Sequence, residues 1–358
     1  CAAAFLAAAD VSMFCWSNNF KPDMLYAFLF TLSIYFLIKF VKVKQTKKNI
    51  VLASLFLGLT VLTKAGLFIL FYPIAGFLLV FLLIVKKESF FISLYYVSLF
   101  VVIQLVFIMG WQMRNYHATG TADFSSRIGT ITLLQNQVPF LIAHQEGISR
   151  EEAIKRVRKK YATEDIMKLD APARNKYFKN VAYKIILSSP LDYAVVVLKN
   201  SGALFLGTSP PDFLFSKQKR EELFEQLQLK LYYVYEYENT DSLPTLSKRV
   251  PKYMGAFSSY PLIKKLWNSN HYSFIFLWSL IKAHILLIYL MTFIGIILML
   301  KDKSDRWVLI LTILVIAYCV AVSGVGPVGS RLRVVFMPIL YFLSSYGLVW
   351  VGEALQKY

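Results

Sequence analysis

The sequence predicts an all-α polytopic membrane protein, with about eight transmembrane helices and one large extracytoplasmic loop domain. Three observations carry that expectation. The chain is 57% hydrophobic and only 17% charged, whereas about a quarter of a soluble globular protein is charged. Its apolar residues are gathered into runs close to the roughly 20 residues that cross a bilayer. Its 39 Lys and Arg outnumber 21 Asp and Glu, a net +18, and much of that excess falls in short loops between the runs, where it orients helices. Disorder is excluded by 16% aromatic residues, which would collapse or insert. Nucleic-acid binding is not called for, because much of the charge lies in the short loops. Residues 111–273 are also basic, but long loops translocate regardless of charge.

Taken in order, the runs are 1–17, 22–40, 49–64, 66–85, 89–110, 274–300, 307–324 and 333–352. The third and fourth are parted only by Lys64-Ala65-Gly66, which predicts a tight helical hairpin. The N-terminal bundle is thus 1–110, the loop domain 111–273 and the C-terminal membrane helices 274–358. Lys39, Lys42, Lys44, Lys47 and Lys48 follow the second run, and Lys86 and Lys87 follow the fourth. Lys301, Lys303 and Arg306 follow the sixth, and Lys357 the eighth. Alternation puts all four clusters on one side, and the excess of basic residues makes it the cytoplasmic one. Residues 17–21, the Lys64 turn, 111–273 and 324–331 then face the other side.

Within the loop domain, Ser149-Arg150-Glu151-Glu152 is a capping box, in which Ser149 caps open amides and Glu152 reaches back. The helix it opens carries Ile154 and Val157 on one face. A second helix is expected from about Ala173 to Ser188. Pro190 opens a third stretch, apolar but short, suited to a membrane interface. Residues 209–270 read as loop with short helices.

Ionisable groups in or beside spans are costly, so each is a candidate for function. Asp23 follows Pro22 at the outer mouth of the second run. It reads either as a first-turn acid that suits the helix dipole or as a carboxylate for a sugar hydroxyl or cation. Asp10 sits mid-run in 1–17 and needs a partner or polar cavity if that run spans. Lys64 is the sole charge between Asn49 and Val85. It is either a snorkelling lysine or, on the side that basic residues avoid and beside Gly66, a point charge for a phosphate. Arg114, in Trp111-Gln112-Met113-Arg114-Asn115-Tyr116, offers a planar fork where a lipid head group would lie. Arg331 and Arg333, just before Met337-Pro338, extend this outer basic set.

The three cysteines, Cys1, Cys15 and Cys319, and the four histidines show no metal-ligand spacing. No phosphate-binding loop, dinucleotide fingerprint or nucleophile elbow occurs. No N-x-S/T sequon occurs, which weighs against a glycosylated surface protein.

The stretch Lys21-Pro22-Asp23-Met24-Leu25-Tyr26-Ala27, the Leu57–Lys64 run ending Leu62-Thr63-Lys64, and Trp111-Gln112-Met113-Arg114-Asn115-Tyr116 with Gly120 are joined by Ser189-Pro190-Leu191-Asp192-Tyr193 and by Arg331-Leu332-Arg333 with Pro338. In that order along the topology, they resemble the polyprenol-phosphate-sugar-dependent glycosyltransferases of the C-type membrane fold, which include the protein O-mannosyltransferases and aminoarabinose transferases. The resemblance implies transfer of a sugar from a polyprenyl-phosphate donor to a protein, lipid or glycan acceptor outside the cytoplasm, by inverting displacement with a carboxylate base. It implies a bacterial inner-membrane location. Asp23 would match the family's second acidic site, with Lys64, Arg114, Arg331 and Arg333 on the donor phosphate. Some relatives use a divalent metal, but no ligand cluster here calls for one.

The chain begins at Cys1, inside an apolar run and without a basic leader. It reads as a frame opened within a membrane helix, with a lipidated mature cysteine as the rival reading. The family's principal catalytic aspartate is then expected on preceding residues, and a chain without it should be inactive. Rival functions are an O-antigen polymerase or ligase, a lipid-carrier transporter or flippase, and a membrane anchor for 111–273. A base in a first outer loop favours the transferase. Midplane charges and an internal repeat would favour the transporter.

Overall fold

The computed structural model describes residues 2–10, 22–124, 128–206, 231–236, 245–251, 272–323 and 333–356. These residues are helical apart from turns and one antiparallel strand pair. In chain order the helices are α1 (Ala2–Ala9), α2 (Asp23–Lys42), α3 (Lys47–Thr63), α4 (Phe71–Val80, continued by a π-helical turn Phe81–Val85) and α5 (Phe90–Thr119). A π-helical segment, Ile128–Gln137, runs into α6 (Val138–Glu146), followed by α7 (Arg150–Tyr161), α8 (Glu164–Met167), α9 (Ala171–Ser188) and α10 (Pro190–Leu206). The last three are α11 (Tyr272–Lys301), α12 (Arg306–Ser323) and α13 (Met337–Leu355).

Five helical segments are long and apolar enough to cross a bilayer: Asp23–Lys42, Ala65–Val85, Phe90–Thr119, Ser279–Lys301 and Met337–Leu355. The architecture is therefore that of an α-helical membrane protein. Two expected spans, 49–64 and 307–324, form helices that fall short of that length. α3 has 17 residues, about 25 Å of helix against a hydrocarbon core of about 30 Å. The expected span 1–17 is represented by α1 and Asp10, its remainder lying outside the described residues.

The fold divides into two compact units. The first comprises Cys1–Ser126, Leu286–Val322 and Val334–Tyr358. Its surface is apolar and its interior carries polar groups. Phe28, Tyr35, Ile84, Phe91, Val106 and Phe293 are exposed, whereas Ser33, Ser54, Gln104 and Thr292 are buried. That inversion suits a lipid solvent, in which interhelical hydrogen bonds hold spans together at about 0.6 kcal/mol each. Ser33 donates to the Ala53 carbonyl at 2.8 Å, tying α2 to α3. Ser54 donates to the Phe100 carbonyl at 2.7 Å and accepts from Gln104 Nε2 at 2.8 Å, tying α3 to α5. α11 and α13 meet at two glycines. A Cβ on Gly295 would lie 2.0 Å from the Leu343 carbonyl oxygen, and one on Gly347 would lie 2.3 Å from that of Met291.

The bundle has two polar ends. At one, Lys42 Nζ lies 2.5 Å from Asp305 Oδ1 and donates to Tyr346 Oη at 3.2 Å, joining α2, the α11–α12 turn and α13. That turn is shaped by Asp302, whose carboxylate accepts from the Ser304 amide at 2.8 Å. The same bonding holds its carboxyl below the usual carboxylate range. The other end carries Asp23 and Lys64.

α5 continues past residue 110, the expected end of the span, to Thr119. No proline interrupts it, and it ends at Gly120, which caps the helix in the left-handed region at φ 72°. The Trp111–Tyr116 motif therefore lies on a helix.

The second unit comprises Arg127–Ile285 and Ser323–Arg333. α7 begins where expected, with Ser149 Oγ accepting from the Glu152 amide at 3.2 Å. The Glu152 carboxylate does not complete the expected box and pairs with Arg156 one turn on, at 2.5 Å. α9 and α10 occupy the expected second and third stretches. Residues 231–236 and 245–251 form an antiparallel ladder in register Leu231↔Pro251, where loop and short helices were expected. The aromatic and β-branched content of Leu231-Tyr232-Tyr233-Val234-Tyr235 suits a strand.

Candidate functional site

Asp23 is the first residue of α2, behind Pro22. Its position among open amides favours the negative charge. Its side chain is 2% exposed. Lys64 stands between α3 and a single 3-10 turn, Ala65–Leu67, with extended backbone. From there its Nζ donates to Asp23 Oδ1 at 2.8 Å. The ammonium also lies 5.5 Å from the ring centre of Tyr26, which α2 sets one turn beyond Asp23 and which favours a cation.

Asp23 and Lys64, two separate candidates in the sequence, are thus one ion pair joining the N-terminus of α2 to the C-terminal end of α3. Lys64 is not the isolated phosphate ligand its position suggested. An ammonium has three donors, and its side chain is 29% exposed, so it can hold the carboxylate and still reach an anion from solvent.

Gly66 follows, and its carbonyl accepts from Tyr318 Oη of α12 at 3.1 Å. A Cβ there would lie 3.6 Å from Tyr26 Oη and 3.9 Å from Val322. Both are ordinary contacts, so a methyl group is tolerated at this position.

The Trp111 motif is linked to the same turn through aromatic side chains. Phe68 stacks on Phe124 at 5.6 Å between ring centres, and Phe124 lies 6.2 Å from Trp111. Trp111 Nε1 donates to the Phe124 carbonyl at 3.1 Å, and Asn115 Nδ2 donates to the Asp123 carbonyl at 2.9 Å. These two residues, one turn apart on α5, fold the chain after Gly120 back on the helix. Arg114 is exposed. Its guanidinium stacks on Trp111 at 4.8 Å and donates to Asn115 Oδ1 at 3.1 Å, which leaves the rest of the fork open to solvent.

The remaining candidates fall elsewhere. Arg333 belongs to the second unit, is 2% exposed, and donates to the Phe205 carbonyl. That bond commits part of its guanidinium to the protein backbone. Arg331 lies outside the described residues. Asp10 is buried and has the partner its position demanded, Tyr341 of α13, whose hydroxyl donates to its carboxylate. Sequence reasoning missed Tyr26 and Tyr318. The first was legible as the residue one turn after Asp23, whereas the second depends on tertiary packing.

Among the described residues, no group of three or more His, Cys, Asp or Glu side chains is placed to hold a metal ion. No family model, curated protein or solved structure matches the chain.

Proposed function

We propose that the chain is a membrane glycosyltransferase that moves a sugar from a polyprenyl-phosphate donor to an acceptor hydroxyl on the extracytoplasmic side. The observation that carries this reading is the Asp23–Lys64 pair, set where α2 begins and α3 ends, with the Lys64 ammonium still part-exposed. The order of motifs along the sequence supports it.

In the reaction, the acceptor oxygen attacks the anomeric carbon as the bond from that carbon to the phosphate oxygen breaks, inverting the centre. The acceptor proton passes to a carboxylate base, and the phosphate leaves on its lipid with the bonding electrons. Charge develops on that phosphate, so cations fixed beside it lower the barrier more than they aid ground-state binding. Lys64 supplies a point charge and Arg114 a planar fork. Asp23 holds the Lys64 ammonium in place, a positioning role that leaves the base to another carboxylate. The lipid tail lies along apolar helix faces such as those of Phe28 and Tyr35, which are exposed.

Donor binding tests this directly. Purified full-length gene product in detergent should bind a polyprenyl phosphate, and Lys64→Gln and Arg114→Gln should each weaken that binding about tenfold, one charge-assisted hydrogen bond's worth. Unchanged affinity in both variants would remove these residues from the donor site.

A further inference from the structure

α9 and α10 meet at a 96° bend between Ser188 and Pro190. Together the two arms are apolar enough to cross a membrane, but neither alone is among the helices long and apolar enough to do so, and the bend breaks the pair in the middle. α10 has 17 residues, about 25 Å of helix, and each arm spends one face on the interior of its own domain. Phe178 and Ala182 of α9 are buried with Leu134, Val138 and Val157. Val196 and Val197 of α10 are buried with Leu141.

The opposite face is the unusual one. Leu187 is 72% exposed, Leu191 81% and Leu198 70%, with Tyr183 and Val195 also exposed. The stripe follows helical spacing through the bend and presents leucines at its apex. The flanking exposed charges are basic: Lys176 and Lys184 on α9, and Lys199 on α10. The one acid near the apex, Asp192, accepts from Gln145 Nε2 at 2.8 Å.

We infer that this elbow is a membrane-surface anchor, with its leucine apex seated among the acyl chains of an anionic bilayer and Lys176 and Lys184 on the head groups. An apolar face rimmed by lysine is the pattern of an interfacial helix, and each lysine near an anionic surface adds about 1 kcal/mol. The candidate spans Phe90–Thr119 and Ser279–Lys301 flank this segment in sequence. A bilayer is thus held at high effective concentration around it. The inference does not rest on the transferase reading.

The test uses the full chain with its three cysteines replaced by alanine, and a nitroxide on Leu191→Cys or on Lys155→Cys of α7. It is reconstituted in phosphatidylcholine alone or mixed with phosphatidylglycerol. In the mixed bilayer, the label at 191 should be more accessible to oxygen than to a water-soluble nickel complex, with the reverse at 155. Replacing Lys176 and Lys184 with Gln should bring the 191 label back to the shallower position seen in phosphatidylcholine alone. Equal aqueous accessibility at 191 and 155 overturns the anchor. So does a 191 label shielded from both reagents, which would mean protein covers the elbow. Equal immersion in the two bilayers overturns the role of anionic head groups. Leu198→Cys gives the same readings should Leu191→Cys fail to fold.

Discussion

Lys64 and Asp23 show why an isolated charge in an apolar stretch is hard to interpret before its neighbours are known. In the sequence, 41 positions separate them. In the fold, they satisfy each other where the N-terminus of α2 meets the C-terminal end of α3. Removing Lys64 strands the buried Asp23 carboxylate, at a cost below the roughly 3–5 kcal/mol of a fully buried pair, because the lysine end is part-exposed. Lys64→Ala should therefore lower thermal stability in detergent, and Asp23→Asn combined with Lys64→Gln should recover much of the loss. If the double variant is as unstable as the sum of the two singles, the residues act independently and the pair is not coupled. Gly66→Ala is the contrasting case. With its new methyl in ordinary contact range, it should change stability by less than about 1 kcal/mol. Asp10 is read in the same way, since its partner Tyr341 lies on the last helix and no local pattern announces it.

Helix existence was legible in this sequence, and helix ends were less so. Apolar runs announced α2, α4, α11 and α13 within a few residues, because a lipid-facing helix carries its signal in composition. α5 ran beyond its apolar stretch, because polar residues continue a helix until something stops it, here Gly120. The strand pair at 231–251 was missed because its hydrogen bonds join separate segments. Contacts between helices leave a fainter trace, as at Gly295 and Gly347, which admit carbonyl oxygens of the opposing helix. Gly347→Val should destabilise the α11–α13 contact by about 3 kcal/mol, as overpacking does, read as a lower unfolding temperature. Gly352→Ala, with nothing within 4 Å of its added Cβ, should be silent. Equal effects at the two positions would show that α11 and α13 do not meet at Gly347.

At the scale of the molecule, the two ends of the bundle hold different chemistry. One end closes with Lys42, Asp305 and Tyr346, and the other with Asp23, Lys64 and Tyr318. The first set requires the loop after α2 and the turn between α11 and α12 to share a side of the membrane. Cysteines introduced at Lys47 and Lys303 should react with an impermeant thiol reagent from the same face of sealed vesicles, and labelling from opposite faces would rule this arrangement out. The second set carries the proposed chemistry. Its two halves were visible as the Lys64 turn and the Trp111 motif, but their connection through Phe68 and Phe124 was not, since stacking has no periodicity to detect. The buried setting of Arg333 was equally hidden.

If Lys64 stabilises a departing lipid phosphate as proposed, the rate of sugar transfer depends on it. Membranes containing the full-length gene product, supplied with a labelled polyprenyl-phosphate sugar, should release the carrier phosphate. Lys64→Gln should slow release about a hundredfold, the loss typical of one transition-state donor, while Gly66→Ala retains the wild-type rate at equal protein level. Release by Lys64→Gln at the wild-type rate, or no consumption of any such donor by the unaltered protein, would contradict the account.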